Sequence, residues 1–276
     1  MEGSGEPVRA ARRSGAPARF PSGALSRFRR VQGDYLRRGT AEFIGTFALI
    51  FFGAGAIMVG SAGLLGVALA HGLAIALMVT AFAHISGGHF NPAITLGFLV
   101  TRRIAPGLAG VYWLMQLAGA SAAALLLWWI FPAEAVGPSR LGAPTLHPSV
   151  GQGAGFALEA IMTAFLVLAV FATAVDERGA FKAIAGFGIG LVITMDVLAG
   201  GPLTGAAMNP ARALGPELVY RVWESYTWIY YAGPAVGAVL AAGLYEWLYL
   251  RPPRPRPVGP PETGVEEPGP GELAAS

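Results

Sequence analysis

The chain has no cysteine and few charged residues for its length. Asp, Glu, Lys and Arg make up 13% of its 276 residues, about half their share in a soluble domain. Without cysteine, a disulfide framework, a catalytic thiol and a thiolate metal site are all excluded. Hydrophobic residues make up 54% of the chain, so the charged residues are too few to cover a water-soluble surface. The composition therefore indicates a membrane protein.

Lysine is scarce too, and the arginines are spread unevenly. Lys182 is the single lysine among 19 cationic residues, and nine arginines lie at or before Arg38. The net charge of +3 thus comes from a tail and not from a basic face suited to nucleic acid, and we expect no nucleic-acid partner. The N-terminal tail also lacks the apolar run of a cleavable signal peptide, so the first apolar segment is expected to act as its own insertion signal.

Two tails of low hydrophobicity flank an apolar centre. Residues 1–39 are rich in Gly, Pro, Ser and Arg, and residues 251–276 are rich in proline. Neither tail can bury enough apolar surface to offset its ordering entropy, so we expect both to be disordered. The clustered arginines of the first tail are expected to be attracted to anionic lipid on the cytoplasmic side. Residues 40–250 form the predicted membrane domain.

Six nearly uncharged stretches in this domain have the roughly 17 to 25 residues that a helix needs to cross the hydrocarbon. They are Ala41–Met58, Leu64–Ala83, Pro106–Phe131, Gly151–Val175, Gly179–Ala199 and Tyr226–Leu250. If these spans cross the membrane in turn, most Lys and Arg residues, including those of both tails, lie on the same side of it. Because cytoplasmic loops are enriched in Lys and Arg, we expect both termini in the cytoplasm. The protein is expected to be a multi-pass protein of the cell membrane.

Two further apolar segments, Pro92–Val100 and Pro210–Val219, are too short to span. At about 1.5 Å per residue each reaches roughly half of the bilayer, so we predict two re-entrant half-helices. The fold class is therefore an all-α membrane protein with six transmembrane helices and two half-helices.

The two halves of the domain match at a nearly fixed offset. Residues 42–46 (EFIGT) correspond to residues 159–163 (EAIMT), 117 positions on, and residues 89–93 (HFNPA) correspond to residues 207–211 (AMNPA), 118 positions on. The repeats cover about 40–133 and 151–250. With three spans per repeat the second copy lies inverted, an arrangement that places a substrate path at the membrane centre. Non-helical backbone is expected near Gly87-Gly88 and Gly200-Gly201, where it would have to line water or be buried in protein.

Asn91 and Asn209 each precede a proline and an apolar run, the pattern of a helix N-cap followed by proline at the first helical position. An asparagine amide can accept from the helix backbone and donate into a pore, so both residues are predicted donors at the membrane centre. Two helix N-termini aimed at one point repel cations. The site is expected to pass neutral polar molecules.

The segments His84–Ala93 (HISGGHFNPA) and Gly205–Arg212 (GAAMNPAR) resemble the two signature loops of the major intrinsic protein family, the aquaporins and glycerol facilitators. The resemblance extends from about Arg38 to Leu250. It implies a passive channel for water and small neutral solutes such as ammonia, urea and glycerol, closed to protons and ions. It also implies a homotetramer in the lipid bilayer and no enzymatic activity.

The family further implies a selectivity filter near the outer mouth. The matching positions are His71, Val197, Ala206 and Arg212. This set resembles the filter of the plant tonoplast subgroup more than that of water-specific members. Glycerol facilitators usually place Asp after the filter arginine, where this chain has Ala213.

Glu42 and Glu159 are intramembrane carboxylates at equivalent places in the two repeats. A paired-carboxylate enzyme or an ion site is one interpretation, whereas the resemblance implies that they accept hydrogen bonds from the loop backbones. His84 and His89 have a poor separation for joint metal binding and no carboxylate nearby, so they are predicted to brace the loop. No metal, cofactor or catalytic residue is expected.

Three functional classes remain open at this stage. Inverted repeats and broken helices also serve ion-coupled secondary transporters, but coupling calls for acidic groups at the binding site. A membrane-embedded enzyme would need a nucleophile and base or a metal cluster, and no such constellation is present in the sequence. Asp196, beside Val197, has two interpretations, since it could steer Arg212 or face an interface. His147, in an outer loop, could reach the pore rim or be exposed to solvent.

Overall fold

The structure is a computed structural model that describes residues 22–179 and 184–250, with side chains described from residue 33 onward. Within these ranges all regular elements are helical. The helices are α1 Ser22–Val59, α2 Gly63–Ser86, α3 Pro92–Val100, α4 Pro106–Ile130, α5 Ala133–Ser139, α6 Gln152–Val170, α7 Ala185–Thr204, α8 Pro210–Tyr220 and α9 Ile229–Tyr245. Two π-helical turns, Phe171–Val175 and Glu246–Leu250, continue α6 and α9.

Five helical segments are long and apolar enough to cross a membrane. They are Gly33–Val59, Gly63–Ser86, Pro106–Ile130, Gln152–Val175 and Ala185–Thr204. The sixth predicted span is α9, whose 17 residues and 5-residue π-helical extension together reach about 33 Å. The half-helices α3 and α8 have 9 and 11 residues. The all-helical prediction, with six long helices and two short ones, is confirmed.

The predicted boundary of the first tail is wrong. Helix α1 already begins at Ser22, so residues 22–39 are helical and continuous with the first span. Extending an existing helix avoids the cost of nucleation, and Asp34 supports the extension through ion pairs with Arg37 at 3.0 Å and Arg38 at 2.8 Å. The predicted disorder of residues 1–21 and 251–276 lies outside the described residues.

The packing of the helices follows the internal repeat. Helix α1 packs on α2 and α4, and in the second repeat α6 packs on α7 and α9. The half-helices cross between repeats, since α3 packs on α9 and α8 packs on α4. Helices α2 and α7, which are equivalent, pack on each other. The two half-helices are thus enclosed by helices of both repeats, and their N-terminal tips meet inside the bundle.

The outer faces of the helices are apolar and exposed. Leu65, Leu191 and Leu240 are 60%, 64% and 65% exposed. A protein with such exposed apolar faces would aggregate in water, whereas in a membrane these faces contact lipid chains. Five of the six tryptophans lie near helix ends, and among them Trp129 is 82% exposed. Aromatic side chains prefer the membrane–water interface, so these positions mark the two edges of the apolar band.

Candidate functional site

The two half-helix tips are tied to each other by their asparagines. Asn91 Oδ1 accepts from Ala93 N at 2.8 Å, and its Nδ2 donates across to the carbonyl of Met208 at 2.9 Å. Asn209 Oδ1 accepts from Ala211 N at 3.0 Å, and its Nδ2 donates to the carbonyl of Phe90 at 2.9 Å. Each amide group has two N–H donors. The cross-link uses one N–H group of each asparagine, and the second N–H takes no part in it.

Each loop is also held by a fully buried carboxylate. Glu42 accepts from the backbone N–H groups of His89 at 3.0 Å and Phe90 at 2.6 Å. Glu159 accepts in the same way from Ala207 at 2.9 Å and Met208 at 2.7 Å. Because these donors would otherwise be buried without partners, the carboxylates fix the non-helical backbone just before each half-helix.

Three polar side chains complete these networks, and the sequence reasoning missed them. Ser86 donates to Glu42 at 2.6 Å, Thr204 donates to Glu159 at 2.7 Å, and Gln116 donates to Glu42 at 2.8 Å. Ser86 and Thr204 occupy equivalent places, 118 residues apart, each directly before a glycine. The repeat offset is therefore a signal that could have found them. Gln116 has no such signal, because Pro234 occupies the equivalent place in the second repeat.

The loop backbone adopts left-handed conformations at equivalent positions in both repeats. Gly87 has φ 94° and Gly205 has φ 81°, and each ends the preceding helix. Ala206 also has a positive φ, 43°, although it carries a side chain. The expectation of non-helical backbone at Gly200-Gly201 is wrong, since α7 continues to Thr204. The irregular segment starts only at Gly205, because glycine adopts the left-handed conformation at low cost.

The four predicted filter residues lie together beside two cavities. The outer cavity, of about 940 Å³, is lined by His71, Val197 and Arg212 among others. The inner cavity, of about 20 Å³, is lined by His71, Ala206 and Arg212 among others, and it has room for about one water. Because His71 and Arg212 line both cavities, they stand where the wide outer space narrows.

Hydrogen bonds to backbone carbonyls set the orientation of these two side chains. His71 Nδ1 lies 2.9 Å from Val67 O. Since a carbonyl only accepts, Nδ1 carries a hydrogen, and in a neutral ring Nε2 is then an acceptor. Arg212 donates from Nη1 to Gly142 O at 2.8 Å. The narrow point thus combines a guanidinium donor and an imidazole with the apolar side chains of Val197 and Ala206.

Gly53 on α1 lies directly against the ring of His71. A Cβ atom at Gly53 would lie 2.6 Å from the His71 ring, too close for any real contact. Gly53 on α1 therefore makes room for the predicted filter histidine on α2.

The prediction that His84 braces the loop is wrong. His84 lies in the last turn of α2 with its side chain exposed, and its ring makes no hydrogen bond with the described residues. Ser86, which faces inward in the same turn, makes the contact instead. His89 does belong to the loop: it is buried, and its Nδ1 lies 3.1 Å from Thr95 Oγ1. His147 is exposed and lines the outer cavity.

No group of three or more potential metal-ligating His, Asp or Glu residues occurs in the part of the chain that the structure describes. Glu42 and Glu159 are occupied by loop donors. The site therefore contains donors, acceptors and apolar walls around two cavities that share His71 and Arg212.

Comparison with known proteins identifies the family. A model of the family described as "Major intrinsic protein" matches residues 29–245. The chain belongs to the major intrinsic protein family. It is 44% identical over 183 residues to aquaporin TIP4-4 of Zea mays, covering 65% of this chain and 69% of that protein. It is 46% identical over 185 residues to the probable aquaporin TIP3-2 of Oryza sativa subsp. japonica, covering 67% and 68%.

A solved structure agrees with this assignment. The X-ray structure of the aquaglyceroporin from Plasmodium falciparum has a TM-score of 0.70 and 27% identity, and the match covers 78% of this chain and 96% of that one. This member of the major intrinsic protein family is a multi-pass membrane protein and a passive channel for water and small solutes, not an enzyme. The predicted channel is confirmed, and the family disfavours the ion-coupled transporter.

Proposed function

We propose that the channel passes water together with small neutral solutes such as ammonia, urea and glycerol, and that His71, Val197, Ala206 and Arg212 form its filter. The observation that carries this proposal is that His71 and Arg212 line both cavities, at the narrow point of the path. Val197 and Ala206 are small and apolar, so we expect a wider opening than in a water-only member of the family.

We propose further that protons and ions are excluded by charge. The buried guanidinium of Arg212 opposes cations at the outer narrow point. The two half-helices present their positive N-terminal ends at the membrane centre, beside Asn91 and Asn209. The free N–H groups of the asparagines offer hydrogen bonds to a neutral molecule as it passes between these barriers.

Glu42 and Glu159 are proposed to act as loop braces. Their oxygens accept from consecutive backbone N–H groups, which supports a structural role over an ion site. We propose that the channel works without a resident cofactor and that its small-molecule partners are water and the neutral solutes that permeate it.

The protein is proposed to be a homotetramer in the cell membrane, with both termini in the cytoplasm. The orientation is supported by Arg102, Arg103 and Arg178 on the side of the termini. The exposed apolar faces of α2 and α7, which carry Leu73 and Leu191, are available for contacts with neighbouring copies. A particle mass four times that of the chain in native mass spectrometry from detergent is expected, and a monomeric mass would contradict the assembly.

The filter is tested by replacing His71 with Phe and Val197 with His. These larger side chains fill the apolar part of the opening, so urea and glycerol uptake is expected to fall at least about tenfold more than water flow. Stopped-flow light scattering of proteoliposomes under osmotic shock measures both. The matched control is H84F, which changes an exposed histidine on the same helix and should alter neither rate. Equal solute-to-water ratios in the wild type and the double variant would show that these positions do not set the selectivity.

A further inference from the structure

An ion pair lines the outer cavity, between residues that are far apart in the chain. Arg140, which caps the end of α5, donates from Nη1 to Glu224 Oε1 at 2.9 Å. Both side chains line the cavity that His71 and Arg212 also line. Neither residue belongs to the half-helices or to the carboxylate braces, so the architecture of the two repeats does not account for this pair.

The short segment that carries Arg140 also carries the carbonyl that holds Arg212. Gly142 O accepts from Arg212 Nη1 at 2.8 Å, and Leu141 alone separates Gly142 from Arg140. The ion pair and the filter arginine are thus joined through residues 140–142 by direct contacts. The direction of the Gly142 carbonyl depends on the backbone from Arg140 onward.

The backbone of residues 140–142 has an uncommon conformation. Arg140, Leu141 and Gly142 have φ values of 49°, 56° and 73°, which makes three consecutive left-handed residues. Residues with a Cβ atom adopt this conformation at a cost, so the segment needs contacts that fix it. Leu141 is fully buried, and a Cβ atom at Gly142 would lie 2.6 Å from Ala54 Cβ. These two contacts fix the inner end of the segment, and the ion pair restrains the other end.

Glu224 projects from a turn with a fixed backbone. Its N–H donates to Thr227 Oγ1 at 3.0 Å, and its carbonyl accepts from Thr227 N at 3.0 Å, just before α9 begins. Thr227 is buried. Because the turn is held in this way, pairing with Glu224 restrains Arg140 relative to the bundle and not merely relative to another loose loop.

We infer that Arg140 and Glu224 are positioning residues for the filter: their ion pair restrains residues 140–142, which direct the Gly142 carbonyl toward Arg212. The inference rests on the proposed role of Arg212 in the filter. Without the pair, the guanidinium is tied less firmly to Gly142 O and leans into the narrow point for part of the time. A narrower average opening slows urea more than water, because urea is the larger molecule.

The first test compares R140M and E224M, which each remove one charge and the hydrogen bond while keeping an unbranched side chain. In stopped-flow light scattering of proteoliposomes, we expect both to lower the urea-to-water permeability ratio about threefold, a change of about 0.7 kcal/mol that lies within the range for exposed ion pairs. The matched control is R221M. Arg221 is also an exposed, left-handed residue that caps a helix end, and it makes no ion pair with the described residues, so its replacement should leave the ratio unchanged.

The direction of the two effects separates restraint from a simple effect of charge at the cavity. R140M makes the cavity more negative and E224M makes it more positive, so a charge effect on entry would shift the ratio in opposite directions. Loss of restraint shifts it in the same direction. The R140E/E224R protein can form the pair again, and its ratio should return to within about 1.5-fold of the wild type. Opposite shifts, ratios equal to the wild type in both single variants, or no recovery in a folded R140E/E224R protein would overturn the inference.

A second measurement does not depend on the filter. Hydrogen–deuterium exchange of the peptide containing residues 140–146 should be faster in R140M and E224M than in the wild type, because Ala143 N donates to Arg140 O in this turn. R212V tests the filter itself and is expected to raise the urea-to-water ratio. An R212V channel with the wild-type ratio would contradict the filter role of Arg212 and not the restraint, which faster exchange would still support. Unchanged exchange in both variants would show that the ion pair does not restrain the segment.

Discussion

At the residue scale, Asn91 and Asn209 each bind the backbone of both half-helix tips at once. The Oδ1 atom of each caps a half-helix, and the Nδ2 atom binds a carbonyl of the opposite loop. These two contacts use the acceptor and one donor of the same amide. A residue that supplies only acceptors cannot replace asparagine at these positions, although it could still cap a helix.

Asn209→Asp separates these functions. The carboxylate can still accept from Ala211 N, so α8 should form, but it cannot donate to Phe90 O and would bring negative charge to the membrane centre. We expect the proton permeability of proteoliposomes to rise clearly above the wild-type background while water flow persists. Asn91→Asp should behave alike, because Asn91 makes the equivalent contacts. A well-folded N209D protein with wild-type proton exclusion would argue against the donor role.

At the element scale, the membrane helices approach each other closely where glycine faces a neighbouring backbone. Gly119 on α4 lies against the backbone of Phe43 on α1, and in the second repeat Gly237 on α9 lies against the backbone of Ala160 on α6. The two contacts are equivalent by the repeat. In lipid, helix association depends on this kind of close van der Waals packing rather than on hydrophobic burial.

Gly237→Ala tests the importance of this crossing. The added Cβ would clash with the carbonyl of Ala160, so α9 must move away from α6. A loss of roughly 1–3 kcal/mol of stability is expected, the usual cost of overpacking. The control is Gly243→Ala on the same helix, where nothing lies within 4 Å and the better helix propensity of alanine should be neutral or slightly stabilising. Thermal melting in detergent measures both, and equal melting temperatures would contradict a tight crossing.

At the scale of the whole molecule, a polar network joins the ends of α6 and α9. Asp176, just after the fourth span, binds the guanidinium of Arg178 at 2.7 Å and accepts from the Tyr245 hydroxyl at 3.1 Å. Arg178 in turn donates to Tyr249 O at 2.6 Å. The connection after α6 is thereby joined to the end of α9, at the two π-helical turns.

The hydrogen bonds from Arg178 hold the pKa of Asp176 well below its usual range. A carboxyl with a lowered pKa in the folded state stabilises the protein fully above its unfolded pKa, and this contribution is lost as the pH falls through the folded pKa. We therefore expect D176N to lower the melting temperature by an amount that is constant from about pH 8 to 5 and shrinks only below about pH 4. E177Q, at the exposed neighbouring residue, should have no effect. A difference between wild type and D176N that vanishes between pH 7 and 5 would contradict this.

The sequence alone was enough for the membrane helices and for the helix caps. Long apolar stretches can satisfy their backbone groups in lipid only as helices, so length and hydrophobicity predict the spans. The start of each half-helix was predictable because Asn-Pro encodes a cap and a first turn locally. The internal repeat then followed from matching residues at a nearly constant offset. Because each repeat has three spans, an odd number, the second repeat must lie inverted in the membrane.

The tertiary structure decided which polar side chains meet. Ser86 and His84 lie in the same helical turn, but only Ser86 faces the buried carboxylate, and a two-residue difference on a helix is a rotation that composition does not reveal. Gln116 on α4 donates to Glu42 on α1, and Gly53 on α1 leaves space for the ring of His71 on α2. The hydrogen bond from Tyr231 on α9 to Glu217 on α8 likewise depends on how these two helices are placed. Such contacts join residues distant in the chain, so they are set by the rotation and spacing of packed helices, whereas caps and spans are set by neighbouring residues.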